Sequence, residues 1–323
     1  MAQNEIFKLD MKDKKILYEL DRNSTQTDSQ IAKKVGLSPE VVNYRINRLE
    51  KEGVITNYPT ALNLSKLGLV HFKILLCFHH ITSKKLEEVI ERLRKDRRVK
   101  WVVSCKGAWD MLITIETEDI NEVDLTKNEI LSLFSGYISK KALSIGVGAS
   151  AYTRSFLLDT NKKEEMVLLD KSKKERLDKI DFEIIKELSK NSRKSAVDIA
   201  TELNTTARIV SYRIKQLIKR GIITGFRLAV NYEKIGLLFY KCMIYLDNPN
   251  ENKIKGLIHY FKYNKNIIHN VQVLGNWELE PEFEVFSEKE FDDCLKEMKD
   301  NFSEIISSIE IITISKEHKF IYF

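Results

Sequence analysis

Apolar residues return at helical spacing near the start of the chain: Ile16, Leu17 and Leu20 share one stripe of residues 10–21, which predicts a first amphipathic helix. Thr27, three residues before Gln30, caps a second helix over 28–35, and Gly36 marks the turn after it. A third helix starts at Ser38, with Pro39 at its first position, and puts Val42, Ile46 and Leu49 in a core stripe. That leaves Glu40, Asn43, Tyr44 and Asn47 on its outer face. Gly53 ends the helix, and residues 54–64 alternate loosely around a polar turn, the pattern of a small two-stranded wing. Beyond this point the period changes. Residues 69–78 read as strand, 83–94 as helix, 99–104 and 111–118 as strands flanking Gly107, 120–134 as helix and 138–147 as strand. The order β-α-β-β-α-β predicts an antiparallel sheet with both helices on one face.

The whole pattern then recurs at an offset of 168. Leu9-Asp10 aligns with Leu177-Asp178, Tyr44-Arg45-Ile46 with Tyr212-Arg213-Ile214, Gly53 with Gly221, and Gly107 and Trp109 with Gly275 and Trp277. Matches in one register over such lengths define an internal repeat. In the second copy Ser195 and Asp198 cap the second helix, the third starts at Thr206, and the wing spans 222–232. Strands are expected at 237–246, 267–274, 277–286 and 305–314, helices at 252–264 and 288–301, and a final short strand at 319–323. The expected α+β organisation is a helical module at 1–62, a sheet domain at 63–155, a connector at 156–176, a second module at 177–230 and a second sheet domain at 231–323. Within the connector, residues 166–169 are apolar enough to dock on a domain.

A bare sheet face rich in Val, Ile and aromatics should be buried against another sheet. That partner is either the other copy in the same chain or the equivalent sheet of a second chain. Sequence alone does not choose.

Composition adds less. The 323 residues are 43% hydrophobic and 31% charged, as in globular proteins, and a formal charge of +6 permits a polyanionic partner without demanding one. The four cysteines, Cys77, Cys105, Cys242 and Cys294, form no CxxC pair, which favours a reducing, cytoplasmic setting. No apolar run is long enough to span a membrane, so no membrane partner is expected.

Charge does separate the two modules. Residues 182–221 hold nine Lys/Arg against four acids, and the matching window 14–53 holds eight against six. A short helix, a tight turn and a second helix with a polar outer face fit the major groove, although a generic three-helix bundle would also have a polar surface. On the groove reading, Ser38, Asn43, Tyr44, Asn47 and Arg48 of module one and Thr206, Arg208, Ser211, Tyr212, Lys215 and Lys219 of module two meet double-stranded DNA. Arg45 and Arg213 sit between core residues and are as well placed to brace their modules internally.

One strand is unusual. Glu278, Glu280, Glu282 and Glu284 alternate with Leu279, Pro281, Phe283 and Val285, so four carboxylates share one face. Either that face is solvated, or Lys/Arg from another element, an amine ligand or a cation lies across it. Pro281 removes a ladder hydrogen bond and suggests a bulge if the strand is internal.

The Leu-Asp-x-x-Asp-x-x-Ile opening, the Ile-Ala pair, the Val-x-x-Arg-Ile-x-x-Leu run and the Gly-x-Ile step, each present twice, resemble the Lrp/AsnC family of transcription regulators. The resemblance implies a winged helix-turn-helix followed by a ferredoxin-like effector domain in each unit. It also implies homodimers or higher homo-oligomers formed through the sheets, and an amino acid or other small effector. The family's Gly-x-x-Asp turn borders its effector cleft. Gly107 with Asp110 keeps that pattern, and Gly275 with Glu278 alters it.

Together these features point to a sequence-specific DNA-binding regulator with no cofactor. Its operator would have two unlike half-sites about 34 Å apart or a multiple of it. A non-enzymatic ligand sensor or assembly protein using the modules for protein contacts is the alternative. An enzyme finds little support, since the glutamate row, His79-His80 and the cysteines form no nucleophile–base pair or metal-ligand set.

Overall fold

The computed structural model describes residues 6–160, 162–247 and 250–321. Unit one runs α1 (Met11–Arg22), α2 (Asp28–Val35), α3 (Pro39–Lys51), β1 (Ile55–Asn57), β2 (Thr60–Leu62), a short α4 (Leu64–Leu67), β3 (Val70–Phe78), α5 (Ser83–Lys95), β4 (Val99–Gly107), β5 (Met111–Thr117), α6 (Ile120–Leu133) and β6 (Ile138–Tyr152). The connector contributes β7 (Glu165–Leu169). Unit two follows with α7 (Lys179–Lys190), α8 (Ala196–Glu202), α9 (Ala207–Lys219), β8 (Ile223–Phe226), β9 (Ala229–Val230), β10 (Leu238–Leu246), α10 (Glu251–Tyr263), β11 (Ile267–Leu274), β12 (Leu279–Val285), α11 (Glu288–Phe302) and β13 (Ile306–Phe320).

The caps form where the sequence places them. Thr27 and Gln30 make a reciprocal capping box, and Ser38 and Thr206 accept the backbone N–H of Val41 and Ile209 ahead of the third helices. The wings depart from expectation. Instead of folding back as hairpins, the segments exchange between modules: β1 pairs with β9 and β2 with β8, with Thr60 opposite Phe226 and Leu62 opposite Ile223. The turn 57–60 reads Asn-Tyr-Pro-Thr, which lacks the Asn-Gly chemistry of a tight hairpin, and Pro59 has no N–H to give a ladder. Each segment runs straight on and takes the other as its edge.

The sheets also join. Residues 138–145 of β6 pair with β3, after which the strand continues beside β11. Similarly, β13 leaves β10 and continues beside β4. These two crossovers close eight strands into a ring, with β7 hydrogen-bonded outside β6. β6 and β13 are therefore longer than the 138–147 and 305–314 predicted. The short strand expected at 319–323 is, as far as Phe320, the end of β13, and residues 322–323 lie outside the described part. Against β10, Pro281 produces no bulge, the register running unshifted from Leu238 opposite Val285 to Ile244 opposite Leu279; against β11 the register shifts between Ile267 and His269, opposite Phe283 and Glu282.

The two bare sheet faces thus meet inside one chain. Of the two partners expected for the bare faces, the structure shows the other copy in the same chain, so these faces are covered without a second chain. Strand alternation sorts the side chains. Phe72, Ile74 and Leu76 face α5 and α6, Cys242, Ile244 and Phe283 face α10 and α11, and Leu75, Val103, Met243 and Val271 line the interior. The pseudo-twofold axis passes where equivalent residues touch, as Ser24 and Ser192 do with hydroxyls 2.6 Å apart and Trp109 and Trp277 do with rings 6.4 Å apart.

Gly107 holds φ +111°, and a Cβ there would meet the Ile311 carbonyl oxygen at 2.5 Å. Gly107→Ala is expected to cost about 1–3 kcal/mol from backbone strain alone, read as a lowered midpoint in chemical denaturation. An unchanged midpoint would contradict this close approach between the units.

Candidate nucleic-acid interface and the barrel interior

On α3, burial of Val42, Ile46 and Leu49 turns Asn43, Tyr44 and Asn47 outward, and Ser38 is exposed at the cap. The two asparagines are not idle: Asn47 donates to Asn43 at 2.9 Å, and Asn43 donates to the Asp28 carboxylate at 2.8 Å. Arg48 turns inward, donating to Asp13 at 2.7 Å with its guanidinium over the Phe7 ring, so it belongs to the module's internal bracing. On α9, Val210 and Leu217 are buried, Thr206, Arg208, Tyr212, Lys215 and Lys219 are exposed, and Ser211 is half-buried.

Arg45 and Arg213 brace their modules as one of the two readings expected. Arg45 bonds Asp10 and Asp13 at 2.7 and 2.8 Å, and Arg213 bonds Asp178 and Asp181 at the equivalent places. Arg220 pairs with Glu175, and Arg193 crosses to module one, donating to the Ser24 carbonyl at 2.8 Å. Among the described residues, Arg208, Lys215 and Lys219 enter no ion pair or side-chain hydrogen bond. They remain as three unpaired cations on one exposed helix face.

Gly107 with Asp110 and Gly275 with Glu278 serve the strand ends. Asp110 accepts the Phe78 N–H at 2.8 Å and Glu278 the Leu246 N–H at 2.8 Å, at positions again 168 apart. Glu278 therefore does the same work as Asp110 with a longer arm. Neither turn lines the cavities of about 180 and 590 Å³ between the barrel and the exchanged strands.

The remaining glutamates are buried and met by cationic side chains from other elements. Glu280 is fully buried between Lys73 and Lys241, the latter at 2.9 Å, and accepts from Trp277 Nε1 at 2.9 Å and Ser144 at 3.0 Å. Glu282 takes Lys241 at 2.7 Å and His269 at 2.9 Å. Burial alone would raise both carboxyls, but Lys241 foremost holds them well below the usual carboxylate range. Glu284 receives two bonds from Arg154, at 2.7 and 2.9 Å.

Arg154 also reaches Asp21 of α1 at 2.9 Å, and Arg227 reaches the same carboxylate at 3.2 Å. This buried cluster ties the first module to the barrel. Burial would raise the Asp21 carboxyl, but Arg227 and Arg154 outweigh it and hold it below its ordinary 3.8. Its stabilising share is complete above that ordinary value and is lost as pH falls through the depressed one. Asp21→Asn is expected to lower stability by roughly 2 kcal/mol at pH 7, with the gap to the native chain shrinking below about pH 4. A gap that stays constant down to about pH 2 would count against the ion pair.

The comparisons agree with this architecture. The winged helix-turn-helix DNA-binding family model matches residues 9–56 and 177–224. These are helical modules of DNA-binding proteins. The proline dehydrogenase transcriptional activator of Rhodobacter capsulatus is 30% identical over 142 residues, 42% of this chain and 92% of that protein. An uncharacterised HTH-type transcriptional regulator of Pyrococcus furiosus is 32% identical over 116 residues, 36% of this chain and 77% of its own. The chain belongs to the Lrp/AsnC family of DNA-binding transcription regulators, with two units in tandem. Across its full length it also resembles the crystal structure of the siroheme decarboxylase NirDL, with a TM-score of 0.62 and 13% identity, covering 97% of this chain and 93% of that one. That likeness concerns the fold.

No described helix is long and apolar enough to cross a membrane.

Proposed function

We propose that the chain regulates transcription as an intramolecular pseudo-dimer in the cytoplasm, with α9 as the dominant DNA-contacting helix and α3 as the lesser one. The observation that carries this reading is the unpaired set Arg208, Lys215 and Lys219 on a helix whose other arginines, Arg213 and Arg220, are held in ion pairs. Phosphate neutralisation by such cations dominates DNA affinity. On α3 the corresponding face holds amides tied to Asp28, which favours weaker or more selective contacts. Two unlike helices related by a pseudo-twofold axis suit an operator with unlike half-sites. Titrating the full chain against genomic fragments at stepped salt tests this: affinity should fall steeply with salt, and absence of binding at low salt would overturn it.

We also read the chain as non-enzymatic. A crystal structure of NirDL holds an iron-uroporphyrin III analogue, but at 13% identity that likeness concerns the fold, whereas the relatives matched over most of their own length are named as transcriptional regulators. Decarboxylation of siroheme by the purified chain would overturn this.

A further inference from the structure

The cavity of about 180 Å³ lies inside the barrel, bounded also by Thr56 and Val230 of the exchanged strands. One wall is aromatic. Trp101 and Phe239 stand 6.1 Å apart, Tyr232 sets its edge to Phe239 at 5.5 Å, and Phe320 its edge to Trp101 at 6.3 Å. Four carboxylates face this wall. Glu282 and Glu284 are matched by the cations described above, and Glu116 has His71 and Lys100 at 3.8 Å. Glu317 differs: it accepts from Trp101 Nε1 at 2.7 Å, and among the described residues no cation pairs with it. Glu317 is exposed to solvent, yet the protein packed round it and the carboxylates Glu282 and Glu284 push its carboxyl above the ordinary range. Four more lining atoms are buried without a hydrogen-bond partner: the Tyr232 hydroxyl, Thr114 Oγ1, His71 Nδ1 and Glu116 Oε2.

These features call for one kind of ligand. A carboxylate without its cation and aromatic faces both attract positive charge. An anion would be repelled, and a neutral hydrocarbon would leave the buried polar atoms unsatisfied. An engineered cavity of ~150 Å³ accommodates benzene, so the space suits about six to ten heavy atoms.

We propose that this cavity binds a small organic ammonium, with the cation held by Glu317 and the aromatic wall and its apolar arm inside the barrel. The site is distinct from the DNA surface, and its test does not depend on DNA binding.

Titration calorimetry and tryptophan fluorescence on the full chain, with pentylammonium and benzylammonium as probes and benzyl alcohol and benzoate as controls, decide the matter. At least one ammonium should bind saturably with a dissociation constant of about a millimolar or lower, and the controls at least about tenfold more weakly. Glu317→Gln keeps the side-chain shape and should weaken the ammonium by about tenfold or more. Trp101→Phe should abolish the fluorescence change while Trp109 and Trp277 still emit. No saturable binding of either ammonium, equal binding of a control, or unchanged binding by a folded Glu317→Gln chain would overturn the proposal.

Discussion

Replacing Glu280 with alanine is expected to destabilise the chain by about 3–5 kcal/mol at pH 7, the range for removing one partner of a buried ion pair. The reason lies in how two lysines share the carboxylates. Lys241 bonds both Glu280 and Glu282 and keeps a partner in the variant. Lys73 has Glu280 as its ion-pair partner and is buried, so it becomes the uncompensated charge. Burial already pushes the Lys73 ammonium down to about 8 against the attraction of Glu280. Without Glu280 it should fall further and shed its proton below pH 7, which limits the penalty. The unfolded chain still binds that proton, so the variant's stability rises with pH. The gap to the native chain should therefore narrow up to about pH 8, then stay level once the native Lys73 also deprotonates. The double change Glu280→Leu with Lys73→Met removes both charges and should recover at least about half of the loss. Denaturant unfolding reads all three quantities. A cost under about 1 kcal/mol, or a double variant no better than the single, would mean the network is not buried and coupled as described.

That network was partly legible beforehand. The glutamate row stands out in the sequence, and a lysine sits at the same place in the middle of two largely apolar strands, Lys73 and Lys241, 168 apart. A central lysine in both copies signals an interior acid to meet it. Missing was the knowledge that the two sheet faces close on each other, because closure depends on β6 and β13 crossing to the other unit. Helices and caps follow from residues a few positions apart, such as Thr27 with Gln30, and local chemistry sets them. Strand partners such as Thr60 with Phe226 are set by the whole fold, and nothing near either residue specifies the exchange. The Asp21–Arg154–Arg227 cluster was illegible for a related reason. Asp21 aligns with Ser189 and Arg227 with Pro59, so the repeat carries no echo of the cluster. Arg48 shows the opposite failure: its position on the helix fits DNA contact, but Asp13, placed by the capping box of α1, draws it inward.

Changing Arg208 and Lys215 together to alanine is expected to weaken DNA binding by at least about tenfold at moderate salt. It should also reduce the slope of log affinity against log salt by roughly 1.8, about 0.9 for each phosphate no longer neutralised. Both side chains are exposed and take part in no structural pair, so folding should be untouched and thermal midpoints should agree with the native chain. Changing Asn43 and Asn47 together should act otherwise. Those amides carry no charge and are bound to each other and to Asp28, so the salt slope should hold and affinity should fall less than about threefold unless the site's own sequence is read there. Measured on one operator, equal reductions in affinity and equal slopes for the two double variants would refute the division of labour between α9 and α3. A smaller reduction for the α9 pair would reverse it. The comparison also separates the two helices' roles by sequence. The α9 variant, acting through phosphates, should weaken binding almost uniformly across unrelated DNA. Any effect of the α3 variant should concentrate on the preferred half-site, because base edges, unlike phosphates, differ from one site to the next.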